Sequence, residues 1–560
     1  MGSEMNNGSD SPNEGGKSSN FTRRQLVTYG GQGLALVGAG GLLAACGSSS
    51  STAGGGSVAA KTSIESSGKP VKGGKITVGM ITGGSAETLN PGVAAAYVDQ
   101  LRIAQLYDFL FLPGPGNEFH VLEPRLATSA EANKDATVWT IKLREGVTWH
   151  DGKPFTADDV VWTIKTWSEE GNYAAEYADP LIDFKGVRKL DKYTVQIPMV
   201  QPSAQFPTIT SLWNLAIIQD GATAASLAKN PIGTGPFKFV SFNPGSQSVF
   251  ARNENYWQGE GKPYVDELVV NSTFQDETSR YNALQGGQID VAPLFPANYA
   301  RQQQSSQQVN VLSSPSGQAY LFIMRIDEGP FTDIRVRQAM KLMCDRQALI
   351  DGVFPGYAQP GNDLEGRFTQ YFASDLKPEY DVEKAKALLK EAGQENLTVT
   401  LSTSNAAPGF VESATLFAQQ AQQAGVTINV EQTSAANYFT EAGGYLTQPF
   451  RQSYSNTWTS MSVVASTLAV KGAPYPETGW PNQKGGGNQP LIRAAMGELD
   501  PHKAQELWHE VQTEWFEKDG LLTWCFVDNI DAAGKNIAGL TSGIANPLNN
   551  FRLLDGWVTS

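Results

Sequence analysis

Apolar and polar residues alternate along "GGKITVGMI" (Gly73 to Ile81), the period of a half-buried strand. After an Asn-Pro turn, "LNPGVAAAYVDQLRIAQLYDFLF" changes to the spacing of an amphipathic helix. In "TVWTIKLREGVTWH", Trp139, Ile141 and Leu143 alternate and Glu145-Gly146 supplies a turn, so a hairpin is expected. "PFTDIRVRQAMKLMCDRQALIDGVF" predicts a helix capped by Asp333, with Val336, Met340 and Met343 on one face and Cys344 adjoining it as core. "DVEKAKALLKEAG" starts at an Asp381 cap, stripes Val382, Ala385, Leu388, Leu389 and Ala392, and stops at Gly393. "LTVTLST", "GFVESATLFAQQAQQAG" and "VTINVEQ" form a strand–helix–strand unit of the length a parallel crossover needs. "FRQSYSNTWTSMSVV" (Phe450 to Val464) shows no clear period and is expected to be a loop lining a cleft.

One stretch invites a catalytic reading. "REGVTWHDGKPFTADDVVW" (Arg144 to Trp162) holds His150, Asp151 and the Asp158–Asp159 pair. Asp151-Gly152 is a turn pair, and Thr156-Ala157-Asp158-Asp159 fits the helix-start pattern in which a hydroxyl and an acid cap one another. Adjacent helix residues point about 100° apart, so the two carboxylates do not converge on a substrate. The stretch is read as scaffold, with His150 a hydrogen-bonding surface residue.

The chain has 560 residues, enough for two or three subdomains, and a net charge of −14. That acidic balance argues against nucleic acid as a partner. Only Cys46, Cys344 and Cys525 occur, without metal-ligand spacing, and no metalloprotease, nucleophile-elbow or phosphate-loop motif is present. Neither a metal nor a cofactor is expected. Arg23 and Arg24 precede a glycine-rich apolar stretch that ends in Leu43-Ala44-Ala45-Cys46. "TRRQLV" resembles a twin-arginine export signal and "LAAC" a bacterial lipobox. The resemblance implies a signal peptide over 1–45 and a lipidated Cys46 that anchors stably through several acyl chains. The Ser/Gly/Ala-rich run over 46–70 reads as a flexible tether.

Five ordered blocks resemble family 5 of the bacterial extracellular solute-binding proteins, the peptide and nickel type receptors of ABC importers. They are "LEPRLATSAEANKDATVWTIKLREGVTWHDGKPFTADDVVWTI", "NPIGTGPFKFVSFNPGSQSVFARNENYWQGEGKPYVDELVV", "DETSRYNALQGGQIDVA", "FTDIRVRQAMKLMCDRQALI" and "YDVEKAKALLKEAG". The resemblance implies an α/β, two-lobed periplasmic-binding-protein-like fold with two hinge crossings and an extra subdomain on the first lobe. Lobe 1 is expected over 71–320, with the extra subdomain at about 118–212, lobe 2 over 321–525, and a return to lobe 1 over 526–560. The crossings are placed near Gln318 to Asp327 and Thr523 to Ile530, and the signature block away from the cleft. The implied function is that of a monomeric receptor, not an enzyme. It sits on the outer face of the cell membrane through its lipid anchor, captures a solute and delivers it to permease subunits. A surface lipoprotein hydrolase would need a nucleophile–base pair or metal ligands, and the missing motifs disfavour it.

Among twelve tryptophans, Trp139, Trp162 and Trp167 lie on periodic elements and are read as core, and Trp257 as a structural turn residue. Trp458 and Tyr454 in the aperiodic stretch are the first candidates for ligand contact, followed by Trp524 at the return crossing and Trp480 in "PETGWPN". Two features depart from the family pattern. Met324 follows the crossing's apolar pair where an Asn is usual. Thr459, Ser460 and Met461 follow Trp458 where peptide receptors usually carry an Asp, and the nearest downstream acid is Glu477. These departures predict a neutral, aromatic pocket, with an oligopeptide as ligand or, alternatively, an oligosaccharide.

Overall fold

The computed structural model describes residues 61–559 apart from 65–67, 115–118, 260, 304–307, 441–443 and 484–486. The export signal with Arg23 and Arg24, the lipid-accepting Cys46 and most of the tether therefore lie outside the described residues.

Two long strands organise the molecule. Val309–Met324 and Leu521–Gly534 run antiparallel, in register from Val309↔Gly534 to Ser314↔Asn529, from Gln318↔Val527 to Tyr320↔Cys525, and, after a one-residue shift, from Leu321↔Thr523 to Ile323↔Leu521. On one half of this ladder the sheet continues through Val291–Ala292, Lys75–Ile81, Glu267–Phe274, Gln247–Arg252 and Phe237–Asn243. On the other half it continues through Phe450–Ser455, Thr398–Ser404 and Thr427–Thr433. The two crossings between lobes are thus one shared pair of strands. The ladder is interrupted between Ser314 and Gln318. Pro315 there has no N–H to offer it. Gly317 packs so closely that a Cβ would meet the Arg367 carbonyl and the Thr457 methyl at 2.8 Å each.

The strand Lys75–Ile81 and the helix Tyr97–Leu106 follow the sequence pattern. Asp333 and Asp381 cap second-lobe helices as predicted, accepting from the Arg335 and Lys384 amides at 2.9 Å each. The single helix expected after Asp333 is instead two, Ile334–Leu342 and Arg346–Val353, because Asp345 caps a new start by accepting from the Ala348 amide at 3.0 Å. Val336, Met340, Met343 and Cys344 are all fully buried. Cys344 and Cys525 are both buried, free thiols. Thr398–Ser404 and Thr427–Thr433 pair in parallel around the helix Phe410–Gln422.

The extra subdomain carries a four-stranded antiparallel sheet in the order Ala127–Ala132, Val138–Leu143, Thr194–Pro198, Arg188–Asp191. Trp139, Ile141 and Leu143 face its core as their alternation predicts. The expected hairpin does not form. Val138–Leu143 takes Ala127–Ala132 on one edge and Thr194–Pro198 on the other, and Thr148 makes only an isolated bridge to Pro154. One edge is taken by the strand just before it, across the short turn 133–137, and the other by a segment more than fifty residues downstream, which a local turn signal cannot reveal. Thr156 and Asp159 form the predicted reciprocal cap: the Asp159 carboxylate accepts from the Thr156 amide at 2.8 Å and the Thr156 hydroxyl from the Asp158 amide at 3.3 Å. His150 hydrogen-bonds as expected but is half-buried rather than fully at the surface. Its Nε2 lies 3.0 Å from the Gly235 carbonyl and its Nδ1 accepts from the Gly233 amide at 3.2 Å. Burial pushes its pKa down to about 4, so the ring is a neutral pin between the subdomain and the Gly233–Gly235 turn.

The stretch Phe450 to Val464 differs from the expected loop. It comprises the strand Phe450–Ser455, a five-residue connection, and the helix Met461–Leu468. The strand shows no alternation because nearly all its residues are buried.

Candidate functional site

The connection 456–460 lies where the two lobes meet, and lobe 1 grips it at several points. Tyr97, in the first turn of its helix, donates its hydroxyl to Asn456 Oδ1 at 2.7 Å. The Thr457 hydroxyl accepts from the Gly317 amide at 2.9 Å and donates to the Ile544 carbonyl at 3.2 Å. Ser460 caps the helix Met461–Leu468 and receives the Thr208 hydroxyl of the extra subdomain at 3.1 Å. Gln205 Oε1 accepts from both the amide and the hydroxyl of Ser462, at 3.2 and 3.0 Å. At the far end of the seam Phe119 meets Phe368 edge-on at 6.4 Å, beside Ile544 and Ala545. The subdomain is therefore not remote from the cleft. His150, Asp151 and Asp158 are uninvolved in these contacts, but Gln205 and Thr208 touch the helix that follows the connection.

The sequence candidates fall into two groups. Trp458 is buried, and its indole N–H donates to Glu365 Oε2 at 2.5 Å. Trp480 and Glu365 line a common cavity of about 30 Å³, room for a water or two, with Glu477, Asp519 and Trp515 also in its wall. The Trp480 indole donates to the Gly487 carbonyl at 3.0 Å, and burial raises the Asp519 pKa. Tyr454 is half-buried on the strand entering the connection and stacks on Tyr320 at 5.8 Å. Burial and the proximity of Tyr454 push the Tyr97 phenol far up, so the seam's phenols stay protonated hydrogen-bonding groups. Trp524 departs from the expectation. It is wholly buried in the second lobe's core, stacked on Phe354 at 5.9 Å and on Phe322 at 6.4 Å. Its position in the return strand turns it inward, away from the seam.

The surroundings of Trp458 are not wholly neutral. No acid follows Trp458 in sequence, yet Glu365, 93 residues upstream, supplies a buried carboxylate to the indole. Tyr97, Glu365, Phe119 and Phe368 carried no local signal of a site. The run Asn456-Thr457-Trp458-Thr459-Ser460, polar around one large aromatic, was the available hint. The hydroxyls of Ser455 and Thr459 are buried and have no hydrogen-bond partner among the described residues. Such a group costs about 1–3 kcal/mol unless something pairs with it.

Among the described residues no helix is long and apolar enough to cross a membrane, and no group of three His, Cys, Asp or Glu side chains is placed to hold a metal ion. The chain is 32% identical over 298 residues to the dipeptide-binding protein of Escherichia coli, covering 49% of this chain and 55% of that protein. It is 30% identical over 331 residues to the glutathione-binding protein GsiB of Escherichia coli, covering 58% and 63%. The chain thus spans little more than half the length of the curated relatives it matches. In fold it resembles the periplasmic binding protein DppA of Helicobacter pylori, solved with the peptide STSA, with a TM-score of 0.71 at 21% identity over 88% of this chain and 99% of that one. It also resembles the substrate-binding protein CtaP of Listeria monocytogenes, with a TM-score of 0.75 at 23% identity over 87% and 100%. The family described as "Bacterial extracellular solute-binding proteins, family 5 Middle" matches residues 121–468, the span from the extra subdomain to the helix after Trp458, and the chain belongs to that family.

Proposed function

We propose that the protein is the receptor of an ABC importer and captures a short peptide between its lobes at the connection 456–460. The observation that carries this is the pair of buried hydroxyls of Ser455 and Thr459, without a hydrogen-bond partner among the described residues, flanking Trp458 at a seam held by both lobes. A peptide backbone offers donors and acceptors to such hydroxyls, and its ends and side chains pack on Trp458, Tyr454 and Trp480. Glu365 is the acid nearest the indole and is assigned to the peptide's ammonium, because a desolvated cation needs an anion beside it. Ligand that touches both lobes biases the shared strand pair toward the closed arrangement, and the closed form is what a permease receives. The protein is held at the outer face of the cell membrane by lipid on Cys46 after export directed by Arg23 and Arg24.

A thermal-shift screen of protein starting after Cys46 tests this with free-amine peptides, their N-acetylated twins and oligosaccharides. A peptide at about 100 times Kd adds roughly 2.7 kcal/mol of stability, and acetylation removes most of that gain. Stabilisation by oligosaccharides and not by peptides overturns the reading. The uncharged run Asn456 to Ser460 favours that second possibility, since neutral hydroxyls and amides around a tryptophan also suit a sugar.

A further inference from the structure

Away from the seam, a cavity of about 280 Å³ lies between the loop Asn90–Gly92, the helix Ala157–Thr166 and the segment that follows Trp213. Asn214 forms part of its wall and is 1% exposed. Neither the oxygen nor the nitrogen of its side-chain amide has a hydrogen-bond partner among the described residues. The neighbouring polar groups are already engaged. Asn90 accepts from the Gly92 amide at 3.0 Å, and Asn172 donates to the Thr166 carbonyl at 2.8 Å and accepts from the Ala174 amide at 2.9 Å. The Trp162 indole N–H is directed to the Ala222 carbonyl at 3.3 Å, and Trp162 and Trp167 both contribute to the wall.

We infer that this cavity is a second small-molecule site and that it takes a planar carboxamide. An amide side chain presents one donor and one acceptor in a single plane. Another carboxamide satisfies both at once, through two parallel N–H···O bonds. A buried polar group with no partner costs about 1–3 kcal/mol, and both ends of Asn214 carry that cost. The cavity is near the lower end of the size range for small-molecule pockets and is walled by two indoles, which suits a flat, compact guest. Ile218 and Leu227 add apolar surface. Among the described residues no cation lies in the wall to recruit an anion, and Glu169 is its only charged residue.

Nicotinamide is the probe, because it joins a primary carboxamide to a flat ring. Titrated into full-length protein with ¹⁵N-labelled tryptophan, it should shift the Trp162 indole resonance saturably. Acetamide should compete, and glycerol, which lacks the planar amide, should not. Asn214→Leu should weaken the shift at least about tenfold and raise the unfolding temperature, since it replaces an unpaired buried amide by an apolar side chain of similar size. If that variant does not fold, Ala224→Phe, at an exposed part of the wall, should block the probe by filling the cavity. No saturable shift in the wild type, equal competition by glycerol, or undiminished binding after Asn214→Leu or Ala224→Phe each overturns the assignment and leaves ordered water as the partner of Asn214.

Discussion

Glu176 should make closure of the two lobes depend on pH. It sits on the short helix Ala175–Ala178 of the extra subdomain, and its Oε2 receives the Tyr475 hydroxyl of the second lobe at 3.3 Å. Its other oxygen is buried without a hydrogen-bond partner among the described residues. Tyr177 and Tyr475 are the titratable groups beside it, and the facing helix Met461–Leu468 carries none. With no cation among the described residues to hold the ionised form, burial raises its pKa from 4.5 to about 8. In an open form the helix returns to water and the carboxyl to its ordinary range. The sign follows from the two values. Below about pH 4.5 both forms are protonated and closure is insensitive to pH. Between about pH 5 and 8 the open form is ionised and the closed form protonated, so closing takes up a proton and weakens by up to about tenfold per unit. Above about pH 8 the effect levels off. The full window corresponds to on the order of 5 kcal/mol as an upper bound, at 1.36 kcal/mol per unit. Closure is read by fluorescence energy transfer between dyes on Lys134→Cys and Lys390→Cys, both exposed, in protein starting after Cys46; the native Cys344 and Cys525 are buried. Asp528, near the break in the crossing ladder, is raised only to about 6, so it contributes little above pH 7. The closed fraction of the wild type should fall between pH 7 and pH 8, and Glu176→Gln, which keeps an acceptor for Tyr475, should abolish that fall. A flat wild-type curve, or an unchanged slope in Glu176→Gln, refutes the argument.

Other perturbations follow from the same contacts. Trp458→Ala should weaken peptide binding by roughly 1.5–3 kcal/mol in calorimetric titration if the ring is buried against ligand; an unchanged Kd would remove it from the site. Gly317→Val forces a side chain into atoms 2.8 Å from the Cβ position and should destabilise the protein by about 1–3 kcal/mol in denaturant unfolding. His150→Gln should leave ligand affinity within about threefold, under roughly 0.7 kcal/mol, because the ring pins the subdomain and touches none of the seam. Cys46→Ser should release the protein from the membrane fraction or leave its precursor uncleaved, and detergent-phase partitioning of that variant would sink the lipid-anchor assignment.

What could be read from the chain alone was local. The Thr156–Asp159 cap, the Asp333 and Asp381 caps and the strand–helix–strand unit around Phe410–Gln422 are each written within a few residues, because capping and periodicity depend on near neighbours. The family was legible for the same reason, as ordered blocks of local pattern. Pairing was not. The expected hairpin after Val138–Leu143 gave way to partners on both edges, one more than fifty residues downstream, and the aperiodic stretch after Phe450 hid a strand buried on both faces. The site itself is a product of tertiary structure. Tyr97 reaches Asn456 across 359 positions and Glu365 reaches Trp458 across 93, so the acid sought just after Trp458 comes from another segment. Trp524, a candidate after Trp458 and Tyr454, is turned into the core by the register of its strand. A sequence specifies which groups are available and how each segment folds nearby. Which of them share a desolvated seam is set by loop closure and packing between segments that carry no trace of one another.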